Sequence, residues 1–140
     1  MSCNCSTLRS NIASAEFDNS IWRREIKEFQ EKIKDCEDII SDFESHDEKV
    51  TEFKDKADQA KSASHARFVG NNHKTKYQSP LESLIGKLSA VNGAIGSNIS
   101  ALQQKIAEYQ QEIATREANI QANESWIAGM EASIAACDEC

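Results

Sequence analysis

The feature that most constrains this sequence is a stripe of residues that recurs every three or four positions through its second half, from Leu88 to Cys137. Alternating steps of three and four place side chains on one face of an α-helix, and a sustained alternation is typical of coiled coils. The pattern therefore predicts one long helix that buries a single stripe against another helix. The stripe consists of Leu88, Asn92, Ile95, Ile99, Leu102, Ile106, Tyr109, Ile113, Arg116, Ile120, Asn123, Ile127, Met130, Ile134 and Cys137.

The first half carries a matching stripe with one irregularity. Beyond Phe43 the apolar pattern continues only through two consecutive steps of three, with His46 between them, which predicts a local overwinding of the helix. We interpret His46 as a stripe residue at this slip in register. The stripe consists of Leu8, Ile12, Ala15, Asn19, Trp22, Ile26, Phe29, Ile33, Cys36, Ile40, Phe43, His46, Val50, Phe53, Ala57 and Ala60.

The two stripes are separated by a segment without helical periodicity, ARFVGNNHKTKYQSP, from Ala66 to Pro80. It contains Gly70, two adjacent asparagines and the only proline of the chain, which are turn-forming residues. At its end, Ser79-Pro80-Leu81-Glu82 has the pattern of a capping box with proline in the first helical position. We therefore predict a turn here, with the second helix starting at Pro80.

Folding the chain about this turn predicts an all-α protein, a long antiparallel two-helix hairpin of coiled-coil type. The expected single domain covers residues 1–140, with arm one at about 6–65, the turn at about 66–79 and arm two at 80–137. In this register the polar stripe residues Asn19 and Asn123 lie opposite each other. A buried asparagine pair costs stability but penalises slipped registers, which would leave each amide unpaired.

Charge and composition exclude several function classes. The net charge of -7 argues against a nucleic-acid partner, which would need a basic surface, and likewise against a membrane-surface role. No run of about 18 apolar residues is present to insert into a membrane, and MSCNCSTLRS lacks the pattern of a cleaved leader. The three histidines are scattered and no phosphate-binding glycine loop occurs, so we expect a protein that is not an enzyme.

Two sets of residues outside the stripes suggest partner binding. In a helix, each glycine costs about 1 kcal/mol relative to alanine, so the small residues of the second arm indicate either close approach of another helix or a loose helix that partly unwinds. Exposed aromatic residues near the chain ends suggest a docking face. The small residues are Gly86, Ala90, Gly93 and Ser97, and the set near the ends includes Phe17, Ile21 and Trp126.

The hairpin would also bring four cysteines together at its open end: Cys3, Cys5, Cys137 and Cys140. Four thiolates are the ligand set of a structural zinc site, and Cys-x-x-Cys has the usual ligand spacing. Disulfides between the arms are an alternative in an oxidising compartment, and free thiols on frayed ends are another. The sequence leaves all three arrangements open. Structural zinc is the only cofactor that it suggests.

The segment Phe68-Val69-Gly70, with Tyr77 beyond it, places an aromatic residue two positions before glycine between two long amphipathic helices. In this the chain resembles the WXG-type helical hairpins of bacterial type VII secretion. It looks most like the accessory proteins encoded beside LXG toxins. Phe68 stands where that family usually has tryptophan, and no Tyr-x-x-x-Asp/Glu export signal follows in the second arm, as for an accessory that uses its partner's signal.

The resemblance implies an adaptor or targeting chaperone that binds the helical N-terminal domain of a co-encoded secreted toxin, alone or with a second small helical protein. It also implies a cytoplasmic protein that leaves the cell, if at all, through the type VII system without a signal peptide. The alternative interpretations are a cytoplasmic structural coiled coil, a homodimeric spacer, and a hairpin whose cysteines respond to zinc or redox state.

Overall fold

The computed structural model describes residues 4–67 and 74–137. These residues form helices only: α1 spans Cys5–Arg67, a short π-helical turn spans Lys74–Gln78, and α2 spans Ser79–Ala135. The two long helices pack against each other. The predicted all-α helical hairpin is thereby confirmed.

Local hydrogen bonds define where α1 begins and α2 ends. The Asn4 side-chain oxygen accepts a hydrogen bond from the Thr7 amide at 3.1 Å, so Asn4 is the N-cap of α1. At the other end the Cys137 amide donates to the Ile134 carbonyl at 3.1 Å, a tightened last turn that satisfies one terminal carbonyl.

The start of α2 differs in detail from the predicted capping box. The helix begins at Ser79, one residue before the predicted start, and follows directly on the π-helical turn. Proline lacks an amide hydrogen and its ring collides with the carbonyl four residues earlier, so a wider turn ahead of Pro80 accommodates it. Glu82 forms an ion pair with Lys61 at 3.1 Å, which engages its carboxylate across the hairpin.

The predicted stripe of α2 is confirmed along its whole length. Each of its residues from Leu88 to Cys137 is buried or half-buried, and each described residue between them is exposed. Asn92, Arg116 and Asn123 are covered like their apolar neighbours. Position in the heptad, rather than residue type, therefore decides which side chains face the partner helix.

The predicted stripe of α1 is confirmed up to Phe43, and beyond it only Val50 and Ala57 are covered as predicted. No overwinding occurs at His46, which is exposed, and Phe53 is 67% exposed. The stripe of α2 has no matching irregularity, so regular steps of three and four are kept in α1 at the expense of its own apolar residues. The covered positions after Phe43 are Asp47, Val50, Lys54, Ala57 and Lys61.

The chain divides into two compact units. The terminal unit comprises the described residues up to Lys34 and from Lys105 onward, and the central unit comprises Asp35–Gln104. In the terminal unit, Ile12, Ala15 and Ile127 form a buried cluster with Met130 and Ile134 packed against it. In the central unit the most buried apolar residues are Cys36, Ala57 and Ile95.

Contacts within each unit fit the expected antiparallel register. In the terminal unit Arg116 Nε lies 2.6 Å from a Glu25 carboxylate oxygen. In the central unit the Lys61–Glu82 ion pair joins the helices, and the Asn92 side-chain amide lies 3.5 Å from the Thr51 hydroxyl.

The two stripe asparagines of the terminal unit do not bond as expected. The Asn123 side-chain nitrogen donates to the Ala15 carbonyl at 3.4 Å. Asn19 is only 2% exposed, and its Oδ1 has no hydrogen-bond partner among the described residues. An unsatisfied buried acceptor costs about 1–3 kcal/mol. The two asparagines are thus both in the stripes as predicted, but they do not satisfy each other's hydrogen bonds.

A pair of phenylalanine substitutions tests the observed stripe of α1. Phe43→Ala removes a half-buried stripe side chain and is expected to lower the free energy of unfolding by about 2 kcal/mol or more. Phe53→Ala removes an exposed side chain and is expected to change it by about 0.5 kcal/mol or less. Urea unfolding followed by circular dichroism measures both. Equal losses would mean that the stripe follows the apolar residues through His46.

Candidate partner-binding site

A groove in the terminal unit contains one of the two tryptophans of the chain, and we call it the Trp126 groove. It has a volume of about 360 Å³ and is open to solvent. Trp126 is 41% exposed, so a large part of its ring is available to a partner. The groove is lined by Asn11, Ser14, Ala15, Asp18, Asn123 and Trp126.

The other two residues of the predicted docking face lie close to this groove in sequence. Ile21 is half-buried, one helical turn beyond Asp18. Phe17 is 66% exposed and lies midway between the stripe residues Ala15 and Asn19, which places it on the outward face of α1. The predicted docking face is therefore two surfaces, a groove with Trp126 and an outward aromatic at Phe17.

The predicted small-residue set lies in the central unit on continuous helix. Gly86, Ala90, Gly93 and Ser97 are all exposed, and α2 runs through them without interruption. A Cβ atom added at Gly86 or Gly93 would meet no atom within 4 Å. The packing of the hairpin therefore does not require glycine at either position, and the role of this set in partner binding stays a prediction.

Of the residues that carry the turn motif, Phe68 and Gly70 lie outside the described residues. Tyr77 is 54% exposed and lies in the π-helical turn just before α2.

The terminal cysteines are described only in part. Cys5 and Cys137 are each disulfide-bonded, and Cys3 and Cys140 lie outside the described residues. A sulfur atom in a disulfide is not a thiolate ligand, so a zinc site here would require the reduced chain. Cys36 is a buried free thiol on the stripe of α1.

A polar cluster of the terminal unit surrounds Arg116, a charged residue in the stripe of α2. Its Nε donates to Glu25 of α1 at 2.6 Å and its Nη1 to Glu112 at 2.5 Å. These hydrogen bonds, that to Glu25 first, raise the pKa of Arg116 above its ordinary value. The guanidinium also lies 4.8 Å from the centre of the Phe29 ring, which in turn packs against Tyr109. With its charge paired and its guanidinium within cation–π distance of Phe29, Arg116 is accommodated as a structural residue.

The terminal unit has a second groove, which we call the Glu16 groove and which the sequence pattern does not predict. Glu16, Asn19 and Arg23 of α1 line it together with Glu124, Ile127, Ala128 and Glu131 of α2, and its volume is about 380 Å³. It shares no lining residue with the Trp126 groove. Each charged residue of this groove directly follows a stripe residue in the sequence. The charged residues of α1 and those of α2 come together only because the two helices pair antiparallel.

Among residues 4–67 and 74–137, no cluster of three or more histidine, cysteine, aspartate or glutamate side chains has the arrangement of a metal site. Within the same residues, neither helix has a segment of the length and hydrophobicity needed to span a membrane. Comparison with known proteins matches the chain to no family model, no curated protein and no solved structure. The resemblance to type VII accessory proteins stays a prediction.

Two arginine substitutions separate the structural cluster from an ordinary surface ion pair. Arg116→Ala is expected to lower the free energy of unfolding by about 1–3 kcal/mol, because it removes charged hydrogen bonds and the cation–π contact with Phe29. Arg23→Ala removes an exposed pair with Glu124 and is expected to cost about 0.5 kcal/mol or less. Urea unfolding measures both, and equal effects would contradict the structural role of Arg116.

Alkylation distinguishes the three arrangements of the cysteines. With unfolded, unreduced protein, iodoacetamide is expected to modify Cys36 but not Cys5 or Cys137, which should react only after reduction. Mass spectrometry of the digested chain identifies the modified residues. Modification of Cys5 and Cys137 without reductant would exclude the disulfides, and about one zinc per chain in the folded, reduced protein would identify bound metal instead.

Proposed function

We propose that this chain is an adaptor that binds the helical N-terminal domain of an exported toxin of the LXG type and holds it in a helical bundle for type VII secretion. The observation that carries the proposal is the Trp126 groove, an open groove between two helices with a large aromatic residue at its edge. Partner helices commonly dock on such an aromatic anchor.

The incomplete core of the hairpin supports a helical partner. Its buried apolar residues keep 6–9% of their surface exposed, and no large apolar side chain of the described residues is fully buried. A two-helix hairpin covers one stripe per helix and leaves both sides of the interface open. One or two further helices would complete a bundle.

Covering the exposed part of Trp126 is expected to contribute a measurable share of the binding free energy. An aromatic side chain of this class buries about 150–250 Å². Covering the exposed 41% of Trp126 would then stabilise a complex by about 2 kcal/mol at about 25 cal/mol per Å². That corresponds to about a 30-fold change in Kd.

The small-residue set of the central unit supports close packing of a partner. Because Gly86 and Gly93 face open space, their cost of about 1 kcal/mol each against alanine has no compensation within the hairpin. A helix laid across them would approach more closely than it could across larger side chains. The resemblance of the Phe68-Val69-Gly70 segment to the type VII hairpins gives the proposed partner its identity.

Binding to the N-terminal helical domain of a toxin encoded beside this chain tests the proposal. Trp126→Ala is expected to weaken binding by about 30-fold, and Gly93→Arg to abolish it by holding the helices apart. Phe53→Ala is the matched control, since it removes an exposed aromatic residue outside both surfaces. Titration calorimetry measures Kd, and circular dichroism checks that each variant stays helical.

The alternative functions give different results in the same experiment. If the toxin domain binds with unchanged Kd to Trp126→Ala and Gly93→Arg, the proposed surface is wrong. If the chain alone sediments as a dimer that Trp126→Ala dissociates, the homodimeric spacer is the better interpretation.

A further inference from the structure

The Glu16 groove combines a buried unsatisfied acceptor with unpaired negative charge. At its floor lies Asn19, 98% of whose surface is removed from solvent and whose Oδ1 accepts no hydrogen bond from the described residues. Asn123, the expected partner of Asn19, donates to the Ala15 carbonyl instead. Asn19 lines the Glu16 groove and not the Trp126 groove, so a hydrogen-bond donor from outside the chain would reach this acceptor from the Glu16 groove, once the amide rotates to bring Oδ1 to the surface.

The charges around this acceptor are unequal. Arg23, the only cation lining the groove, is held by Glu124 at 2.7 Å. Glu16 and Glu131 take part in no ion pair with any described residue. The unpaired charge at the groove is thus negative on both helices, which favours a cationic group.

The surface next to the groove is mostly apolar. An adjoining hollow of about 370 Å³ shares Glu16 and Glu131 with the groove, and its other lining residues are Arg9, Ile12, Ala13, Ile134 and Ala135. Small and branched apolar residues on this side let another helix pack closely. A free amine or a polyamine would gain nothing from such a surface, so it favours a helix as the occupant.

We propose that the Glu16 groove receives a lysine side chain from a helix of a protein partner. The lysine ammonium has three donors, and the groove offers three acceptor groups: Asn19 Oδ1 and the carboxylates of Glu16 and Glu131. The aliphatic stem of lysine would lie on Ile127 and Ala128. The inference goes beyond the proposed function, because it uses the other side of the interface and does not depend on the Trp126 groove.

The direct test measures binding of three stapled helical peptides to the full-length chain. The peptides are identical amphipathic helices with an alanine- and leucine-bearing face and differ in one central residue: lysine, norleucine or glutamate. The lysine peptide is expected to bind at least 10-fold more tightly than the norleucine peptide, and the glutamate peptide most weakly. Fluorescence anisotropy gives Kd, and the side-chain amide signal of Asn19 in ¹H–¹⁵N spectra should shift with the lysine peptide.

Variants of the groove assign the effect. Glu16→Gln with Glu131→Gln is expected to reduce the preference for lysine to about 2-fold, whereas Glu28→Gln with Glu117→Gln, which removes the same two charges from exposed positions of the same unit, should leave it unchanged. Asn19→Leu is expected to lose the preference while raising the thermal midpoint of the chain, since it removes an unsatisfied amide. If Asn19 had only a structural role, the Asn19→Leu variant would keep the preference for the lysine peptide.

Three results would overturn the inference: equal affinity for the lysine and norleucine peptides, no binding by any peptide, or a preference that survives the double glutamine variant. Self-association that the double glutamine variant abolishes would show that the occupant is a second copy of this chain rather than a partner. Trp126→Ala should not alter the preference for lysine. Loss of toxin binding in Trp126→Ala beside equal peptide affinities would leave the adaptor function standing and this inference rejected.

Discussion

The heptad spacing that the two helices share is the constraint on which the rest of the structure depends. A helix in a two-stranded pair presents only two residues in seven to its neighbour, and each of those positions is covered whatever side chain it carries. This is why Lys54, Lys61 and Arg116 are covered while Phe53 and Trp126 are exposed. The chemistry of the exposed surface follows from which residues fall outside the shared spacing.

The same constraint separates what could be predicted from sequence from what could not. The stripe of α2 was predictable because its period never changes, even at Asn92 and Arg116. Beyond Phe43 the pattern of α1 predicts Val50 and Ala57 correctly and His46, Phe53 and Ala60 wrongly, because the apolar residues of α1 alone do not show that α2 keeps an unbroken spacing. The regular pattern of α2 contains that information, because two paired helices keep one shared spacing.

The site residues divide along similar lines. Trp126 and Phe17 were found because large apolar residues outside a stripe are visible in one helix alone. The Glu16 groove was missed because Glu16 and Glu131 are ordinary charged residues until an antiparallel partner brings them together. The pairing of Asn19 was predicted from its level in the register, but the amide of Asn123 is oriented toward the Ala15 carbonyl, a detail of side-chain geometry that spacing does not contain.

Arg116 adds a property that the apolar residues of its stripe lack. Isoleucine and leucine side chains pack almost equally well against any apolar residue of the other helix, so they favour one register only slightly over another. Sliding one helix by a heptad, about 10 Å, would carry the guanidinium of Arg116 away from both the Glu25 carboxylate and the Phe29 ring. The apolar stripe thus holds the two helices together without fixing their alignment. Arg116 fixes the register in which the two helices of the terminal unit pair.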